Sequence, residues 1–376
     1  MKIVHICSQY FTSKLYLYLI DGLKKYGYKQ LIYVPLNKSQ KTSYPFSNFD
    51  DRRKSTENET YIFDRYLNKY FRYLLLTRTF IYSRRIAKFI DIKNSIIHAH
   101  TLFSSGGIAY WLNKRYHINY IVAVRNTDLE LINRFKFYKI FAYNILKNSK
   151  SIIFISHSLK NKFLENFSND QINTLNYKIK IIPNGIPEFW INEEKAIPAT
   201  HFNFIYQGNF LKRKNVLYSI SLIESLNDRG YKCNFNIFGE GEEKNDIINK
   251  INNSKFYNNF TINSWVKNME DIKNNYVSND IYIMPSSGET FGIAYLEALA
   301  CGLPIVYKKD DGIDGFFNHE NPVGVALNVN DFENDLDKLQ NLLDNYSEYQ
   351  KNTLFVAKKF LWSNILEMYK NVYDEI

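Results

Sequence analysis

The stretch richest in chemistry runs from Pro285 to Pro304 and carries two carboxylates, Glu289 and Glu297. Its residues read Pro-Ser-Ser-Gly-Glu-Thr-Phe-Gly-Ile-Ala-Tyr-Leu-Glu-Ala-Leu-Ala-Cys-Gly-Leu-Pro. The apolar run Ile281–Met284 before it suits a buried strand, and Ile293–Ala300 suits a helix. Glu289 then falls on a loop at the carboxyl edge of a sheet, where open α/β folds bind ligands, and Glu297 in the helix behind it. Two carboxylates so spaced can accept hydrogen bonds from separate hydroxyl groups of one long ligand. Backbone N–H groups near Thr290, Phe291 and Gly292 would point outward from the helix N-terminus, a natural diphosphate seat. The plainer alternative makes Glu289 a solvated loop charge and Glu297 an exposed helix charge.

A second chemical cluster, Lys212-Arg213-Lys214, follows the strand Phe202–Gln207 and the link Gly208-Asn209-Phe210-Leu211. Adjacent cations there can neutralise phosphate; alone they are equally an exposed basic loop. Gly239-Glu240-Gly241 closes the strand Asn234–Phe238 as a tight turn. Asp310-Asp311, beside Gly312, reads as a loop feature rather than a metal site. His5, His117, His157, His201 and His319 show no metal-ligand spacing, and Cys7, Cys233 and Cys301 are too scattered for a zinc site or a disulfide framework.

The elements that position these residues alternate from end to end. Strands are expected at Lys2–Cys7, Gln30–Val34, Ser95–His98, Tyr120–Val124, Ser151–Ile155 and Lys178–Ile182, the last closed by Pro183-Asn184-Gly185. Helices are expected from about Lys14 to Lys25 and over Gly107–Arg115, with one long helix or two shorter ones across Asp64–Ile92. Residues from Asn37 to about Thr60 show no periodicity. Glu188–Thr200, with Pro198, reads as a linker, after which the rhythm restarts. Helices follow over Val216–Arg229, Phe332–Asp344, Tyr346–Phe360 and Ser363–Tyr373, and Pro304–Val306 is a strand. This grammar predicts an α/β protein with mostly parallel, doubly wound sheets.

The length of 376 residues suits two domains, and 45% apolar residues exclude wholesale disorder. A net charge of +10 favours polyanionic partners: nucleic acid, an acidic membrane surface or phosphate-bearing substrates. No recognised nucleic-acid reader motif is present, so nucleic acid is not expected as a partner. No run approaches the ~18 apolar residues that span a bilayer, and the first strand is too short for a secretion signal, so a cytoplasmic protein is expected. Arg72, Arg78, Arg84, Arg85 and Lys88 stand among Tyr70, Phe71, Tyr73, Leu74, Leu75 and Phe80. That stretch suits either an anionic membrane surface or an ordinary amphipathic helix with a solvated face.

The Pro285–Pro304 stretch resembles the Glu-x7-Glu signature of family 4 glycosyltransferases. It matches the pattern Pro-Ser-x-x-Glu-x-Phe-Gly-x4-Glu-Ala-x-Ala-x-Gly-x-Pro at nearly every fixed position. The resemblance implies the GT-B fold: two Rossmann-like domains facing across a central cleft, with a C-terminal helix crossing back to the N-terminal domain. It implies an acceptor-binding domain over 1–190, a nucleotide-sugar-binding domain over 200–355 and the returning helix over 356–376. By the same resemblance Glu289 contacts the donor sugar and Glu297 the ribose hydroxyls. Lys214, with Arg213 beside it, neutralises the donor diphosphate. Gly208, Asn209, Gly239, Val266, Thr290, Phe291 and Gly292 would complete the donor site. Asn209 stands where many members carry arginine, and asparagine lacks the bidentate fork.

On the acceptor side the resemblance points to His100 and to Arg125, Asn126 and Asp128. Arg125 replaces a histidine that lies near the reacting centre in many members, and arginine cannot act as a base near neutral pH. It can pair with an anionic acceptor or donor phosphate; alternatively, Arg125 and Asp128 simply close the loop. The expected activity is retaining, metal-independent transfer of a sugar from a nucleoside-diphosphate donor to a glycan or lipid-linked acceptor. It would need no cofactor, and would serve cell-surface polysaccharide assembly at the inner face of the plasma membrane. A non-catalytic binding subunit and a nucleotide-sugar epimerase of the same fold are the competing readings.

Overall fold

A computed structural model describes residues 2–11, 15–36, 58–64, 74–194, 200–318 and 320–376. The chain divides into two compact units. The first comprises Met1–Ile155, Leu159–Pro183 and Trp362–Ile376; the second comprises Ser156–Ser158 and Asn184–Leu361.

The first unit is built on β1 (Lys2–Ile6), β2 (Lys29–Pro35), β3 (Glu59–Asp64), β4 (Ser95–Ala99), β5 (Tyr120–Val124), β6 (Ser151–Phe154) and β7 (Ile179–Ile181). They form one sheet in the order β3-β2-β1-β4-β5-β6-β7, with every pair parallel. The central strands are continuous apolar runs because helices cover both faces. Its helices are α1 (Leu15–Lys25), α2 (Leu75–Ile86), α3 (Gly107–Tyr116), α4 (Asn126–Arg134), α5 (Tyr138–Asn148), α6 (His157–Leu164), α7 (Asn169–Asn176) and, from the end of the chain, the helix Trp362–Asp374. The first residues of α6 cluster with the second unit. On one face of the sheet, Leu19 and Leu23 of α1 share a core with Ile3, Ile96, Ile121 and Ile153 and with Ile365, Leu366 and Tyr369 of the final helix. Gly22 lets those two helices touch: a Cβ there would sit 2.2 Å from Leu366 Cδ1.

The second unit repeats the scheme with β8 (Phe202–Gln207), β9 (Cys233–Phe238), β10 (Phe260–Asn263), β11 (Ile281–Ile283), β12 (Ile305–Lys308) and β13 (Gly324–Leu327). The order is β10-β9-β8-β11-β12-β13, again all parallel. Its helices are α8 (Val216–Asp228), α9 (Lys244–Asn252), α10 (Met269–Val277), α11 (Ile293–Ala300), α12 (Phe332–Asp344) and α13 (Tyr346–Lys358); the final helix becomes α14. Asp335 of α12 is fully buried and accepts from Asn328 N, Val329 N and the Tyr218 hydroxyl, tying α12 to α8 and to the end of β13.

Within the stretch Asp64–Ile92, read as one long helix or two shorter ones, residues 65–73 lie outside the described residues. Asp64 ends a strand, and α2 starts at Leu75, followed by a 3-10 turn at Ala87–Phe89. Strands β3, β10 and β13, and helices α4, α5, α6, α7, α9 and α10, were not anticipated. Tyr70, Phe71, Arg72, Tyr73, Pro198 and His319 lie outside the described residues.

Candidate functional site

In the second unit three loops converge at the carboxyl ends of β8, β9 and β11. The first two are held by backbone proximity. Phe210 N donates to Glu240 O at 2.8 Å, and Gly208 N to Phe238 O at 3.0 Å. Gly239 is required here because a Cβ would lie 2.0 Å from Gly208 O. Asn209 contributes its carbonyl, which accepts from the buried Tyr206 hydroxyl at 2.8 Å.

Lys212–Lys214 form a 3-10 turn ended by Asn215 in the left-handed region, φ 56°. Asn215 Nδ2 donates to Pro285 O at 2.7 Å, and Ser287 N to Arg213 O at 2.7 Å, which stitches the basic turn to the loop after β11. Lys214 Nζ therefore reaches Glu289 Oε2 at 2.7 Å, Arg213 NH1 reaches the same oxygen at 3.4 Å, and Ser286 Oγ donates to it at 3.2 Å. Lys214 is largely sequestered, with an 11% exposed side chain, whereas Arg213 is 47% exposed. Burial pushes the Glu289 carboxyl up, but Lys214, Arg213 and Ser286 together hold it below the ordinary glutamate value.

The same loop is closed from β12. Asp311, buried, accepts from Gly288 N at 2.5 Å and Gly312 N at 3.1 Å, while Gly312 N also reaches Glu289 O at 3.0 Å. Asp311 thus shapes the glutamate loop, a role the sequence left unassigned beyond a loop feature. Gly292, φ 86°, is the N-cap of α11. The backbone N–H groups of Thr290, Phe291 and Gly292 have no acceptor among the described residues. Thr290 O accepts from Ser156 Oγ at 2.8 Å, and the buried Phe291 ring packs edge-on against Phe316. Two cations and a row of free N–H groups at a helix start make a site for a polyanion.

Glu297 lies in α11 as expected but is only half-buried rather than exposed, and its carboxylate pairs with no described residue. Desolvation raises its pKa to about 7. A partly desolvated carboxylate without a protein donor is poised to accept hydroxyl hydrogens. Val266 is half-buried in the segment after β10, next to the exposed Trp265.

In the first unit, Arg125 is the N-cap of α4. Its Nε donates to His100 O at 3.3 Å, and its guanidinium bonds the Tyr369 hydroxyl. Asp128 is buried. Its oxygens accept from Arg125 N at 2.9 Å, Leu102 N at 3.0 Å and Phe103 N at 3.2 Å. Burial raises its carboxyl to about 6, against the pull of those backbone donors and Arg125. Asp128 closes the loop through backbone N–H groups and forms no ion pair with Arg125. Asn126 bonds Glu130 Oε1 at 2.7 Å on the surface. Of the four acceptor-side residues, Arg125 and Asn126 reach solvent, and His100 and Asp128 do not.

His100 belongs to a cluster that spacing did not predict for His5. Parallel pairing sets His5 opposite His98, and a ring nitrogen from each of His5, His98 and His100 lies within 4.8 Å of the others. Gln30 Nε2 donates to Ile20 O, so Gln30 Oε1 accepts from His5 Nε2 at 3.0 Å; His5 Nδ1 then accepts from His100 Nε2 at 3.0 Å. Burial lowers the His5 pKa to about 4, and those of His98 and His100 fall well below the usual value, so all three are neutral at pH 7.

The folds and loops define a protein of two nucleotide-binding-type α/β units, one presenting a polyanion seat. Residues 16–188 match the model described as Glycosyltransferase Family 4, and residues 190–354 the model described as Glycosyl transferases group 1. The chain belongs to the family 4 glycosyltransferases of the GT-B fold and is a glycosyltransferase. It is similar to the alpha-monoglucosyldiacylglycerol synthase of Acholeplasma laidlawii, 23% identical over 83% of this chain and 80% of the relative. It is also similar to the capsular polysaccharide biosynthesis glycosyltransferase CapM of Staphylococcus aureus, 25% identical over 68% and 71%. Among solved structures, HepE of Anabaena in complex with UDP and glucose superposes with a TM-score of 0.65, 14% identity and full coverage of both chains. Among the described residues no helix is long and apolar enough to cross a membrane.

Proposed function

We propose that the protein is a retaining glycosyltransferase that uses a nucleoside-diphosphate sugar and needs neither metal nor cofactor. The observation that carries this reading is the Lys214–Glu289–Arg213 knot set beside the free N–H groups of Thr290, Phe291 and Gly292. These groups bind the diphosphate and stabilise the charge that develops on it as the bond from the anomeric carbon to the leaving phosphate oxygen breaks. The acceptor hydroxyl oxygen bonds to the anomeric carbon on the same face and passes its proton to that phosphate oxygen, so the anomeric configuration is kept. Glu289 orients Lys214 and faces the donor sugar, and Glu297 accepts from the ribose hydroxyls. The names of the capsule and glucolipid relatives favour a glycan or lipid-linked acceptor, in cell-surface polysaccharide assembly at the cytoplasmic face of the plasma membrane.

Thermal shift with UDP, GDP, ADP and their common sugars tests the donor site. A ligand at ~100 times its dissociation constant adds ~2.7 kcal/mol to the folded state. One nucleotide should stabilise the parent and do so more weakly in Lys214→Ala, with or without EDTA. No shift with any nucleotide, or one that requires a divalent metal, overturns the reading. Retention is checked by the anomeric proton coupling of the first-formed product.

A further inference from the structure

Three imidazoles meet inside the first unit, and the chemistry proposed above uses none of them. Strand pairing sets His5 of β1 opposite His98 of β4, and His100, whose N–H continues the ladder to Ile6 O, follows on the same face. All three are 0% exposed, and one ring nitrogen of each lies within 4.8 Å of the others. The rings of His98 and His100 stack with 3.9 Å between centroids. A core that needed only volume would fill this place with apolar side chains, since buried polar atoms are costly unless paired. Here His98 Nε2 and His100 Nδ1 are buried with no hydrogen-bond partner among the described residues.

The bonds that do form decide which nitrogen carries each proton. Gln30 Nε2 donates to Ile20 O, so Gln30 Oε1 faces His5 and accepts from its Nε2 at 3.0 Å. His5 Nδ1 is therefore a bare lone pair turned toward His100 Nε2, 3.0 Å away. His98 Nδ1 bonds the Tyr373 hydroxyl at 2.7 Å; with that nitrogen as donor, His98 Nε2 is a second bare lone pair. His100 has no partner at Nδ1, so moving its proton there from Nε2 breaks only the bond to His5 and frees a third. Two imidazole nitrogens on one tetrahedral ion stand about 3.3 Å apart. The 3.0 Å between His5 and His100 is already close to that separation, and side-chain rotation of His98 closes the rest. Gln30 and Tyr373 then serve as the outer partners that hold ligating rings in one tautomer and orientation.

We propose that His5, His98 and His100 bind a late first-row transition-metal ion, zinc or copper(I), that staples β1 to β4. Imidazole nitrogens suit these ions. Calcium and magnesium take oxygen ligands, and no carboxylate joins this group. All three rings are neutral at pH 7, the state in which imidazole ligates. Because the rings are sealed, the ion enters while the unit is open, before α14 brings Tyr373 over His98. Its role is structural. The proposal goes beyond the transfer reading, which asks for no ion at the donor loops of the second unit, and each stands without the other.

The test unfolds the whole protein in urea with EDTA and refolds it with zinc, copper(I) or magnesium, then desalts it for elemental analysis. The parent should keep one ion per chain from zinc or copper(I) and none from magnesium, and should melt ~5 °C above the metal-free protein. His98→Gln should lose the ion, and Gln30→Leu should hold it ~10–100-fold more weakly. His201→Gln, an exposed histidine in the second unit, should change nothing. X-ray absorption of the loaded parent should show an imidazole shell at about 2.0 Å, which reads the site even where a variant fails to fold. A folded parent that keeps no ion, a shell of sulfur or of oxygen alone, equal content in folded His98→Gln, or loss in His201→Gln overturns the proposal. Nucleotide thermal shift on the loaded and metal-free samples separates the two readings. An ion kept without any nucleotide shift sinks the donor site alone, and a nucleotide shift in a parent that keeps no ion sinks the metal site alone.

Discussion

Glu297→Gln should stabilise the ligand-free protein at alkaline pH and leave it nearly unchanged at acid pH. The carboxyl is raised from the ordinary 4.5 to about 7 by desolvation alone. A group whose folded pKa is raised binds more protons in the folded state, so stability falls as pH rises from about 4.5 to about 7 and is level beyond. At ~1.4 kcal/mol per pKa unit the ceiling is ~3 kcal/mol, and the partial exposure of Glu297 reduces this to ~2 kcal/mol. Glutamine keeps the shape and mimics the protonated acid, so it escapes the penalty. Urea unfolding of parent and variant at pH 4.5, 6 and 8 measures the difference, which should grow from near zero to ~2 kcal/mol. A difference independent of pH would refute the argument that desolvation, rather than packing, sets the state of Glu297. The same raised carboxyl implies that a ligand whose hydroxyls bind Glu297 releases a proton near pH 6.5, visible by calorimetry in buffers of different ionisation enthalpy.

Lys214→Ala removes the nearest cation from Glu289 and should cost ~1–2 kcal/mol at pH 7 in urea unfolding. Because the Glu289 pKa is depressed in the parent, that difference should shrink as pH falls below the ordinary glutamate value. The neutral triad His5, His98 and His100 makes the first unit lose stability as pH drops from 6.5 toward 4, by up to ~1.4 kcal/mol per pH unit for each histidine; His100→Asn should flatten the slope of an acid titration followed by circular dichroism. Gly239→Ala drives a methyl into Gly208 O and should cost ~3 kcal/mol and abolish any nucleotide-induced thermal shift.

The parts legible in the sequence were those whose pattern is repeated along a run. Central strands such as Tyr120–Val124 and Ile281–Ile283 are buried on both faces and therefore uniformly apolar. Three of the four sheet edges, β3, β10 and β13, escaped notice for the complementary reason. With one neighbour and half-solvated side chains, a strand such as Glu59–Asp64 needs only three apolar residues in a row, which no periodicity can register. The fourth edge, β7, was legible only through the Pro-Asn-Gly that closes it. In the second unit, Glu289, Arg213 and Lys214 were legible because they sit on short loops tied to strand ends. The role of Asp311 was not, because it acts through the backbone N–H groups of a loop over twenty residues earlier in the chain. The histidine triad depended on the register of β1 against β4, a long-range fact that local spacing does not encode.

The first unit is assembled from both ends of the chain. Its core beneath α1 is shared with Ile365, Leu366, Tyr369 and Val372, residues made after the whole second unit. During synthesis, therefore, Leu19, Leu23, Ile121 and Ile153 emerge early and wait with one side uncovered while more than two hundred further residues are added. The second unit, Asn184–Leu361 apart from its short N-terminal contribution, can close as soon as it is made, so the half translated first is the half completed last. Chaperone dependence, and sensitivity to truncation at the far end, should consequently concentrate in the first unit, although the lesion lies more than two hundred residues from the strands it exposes.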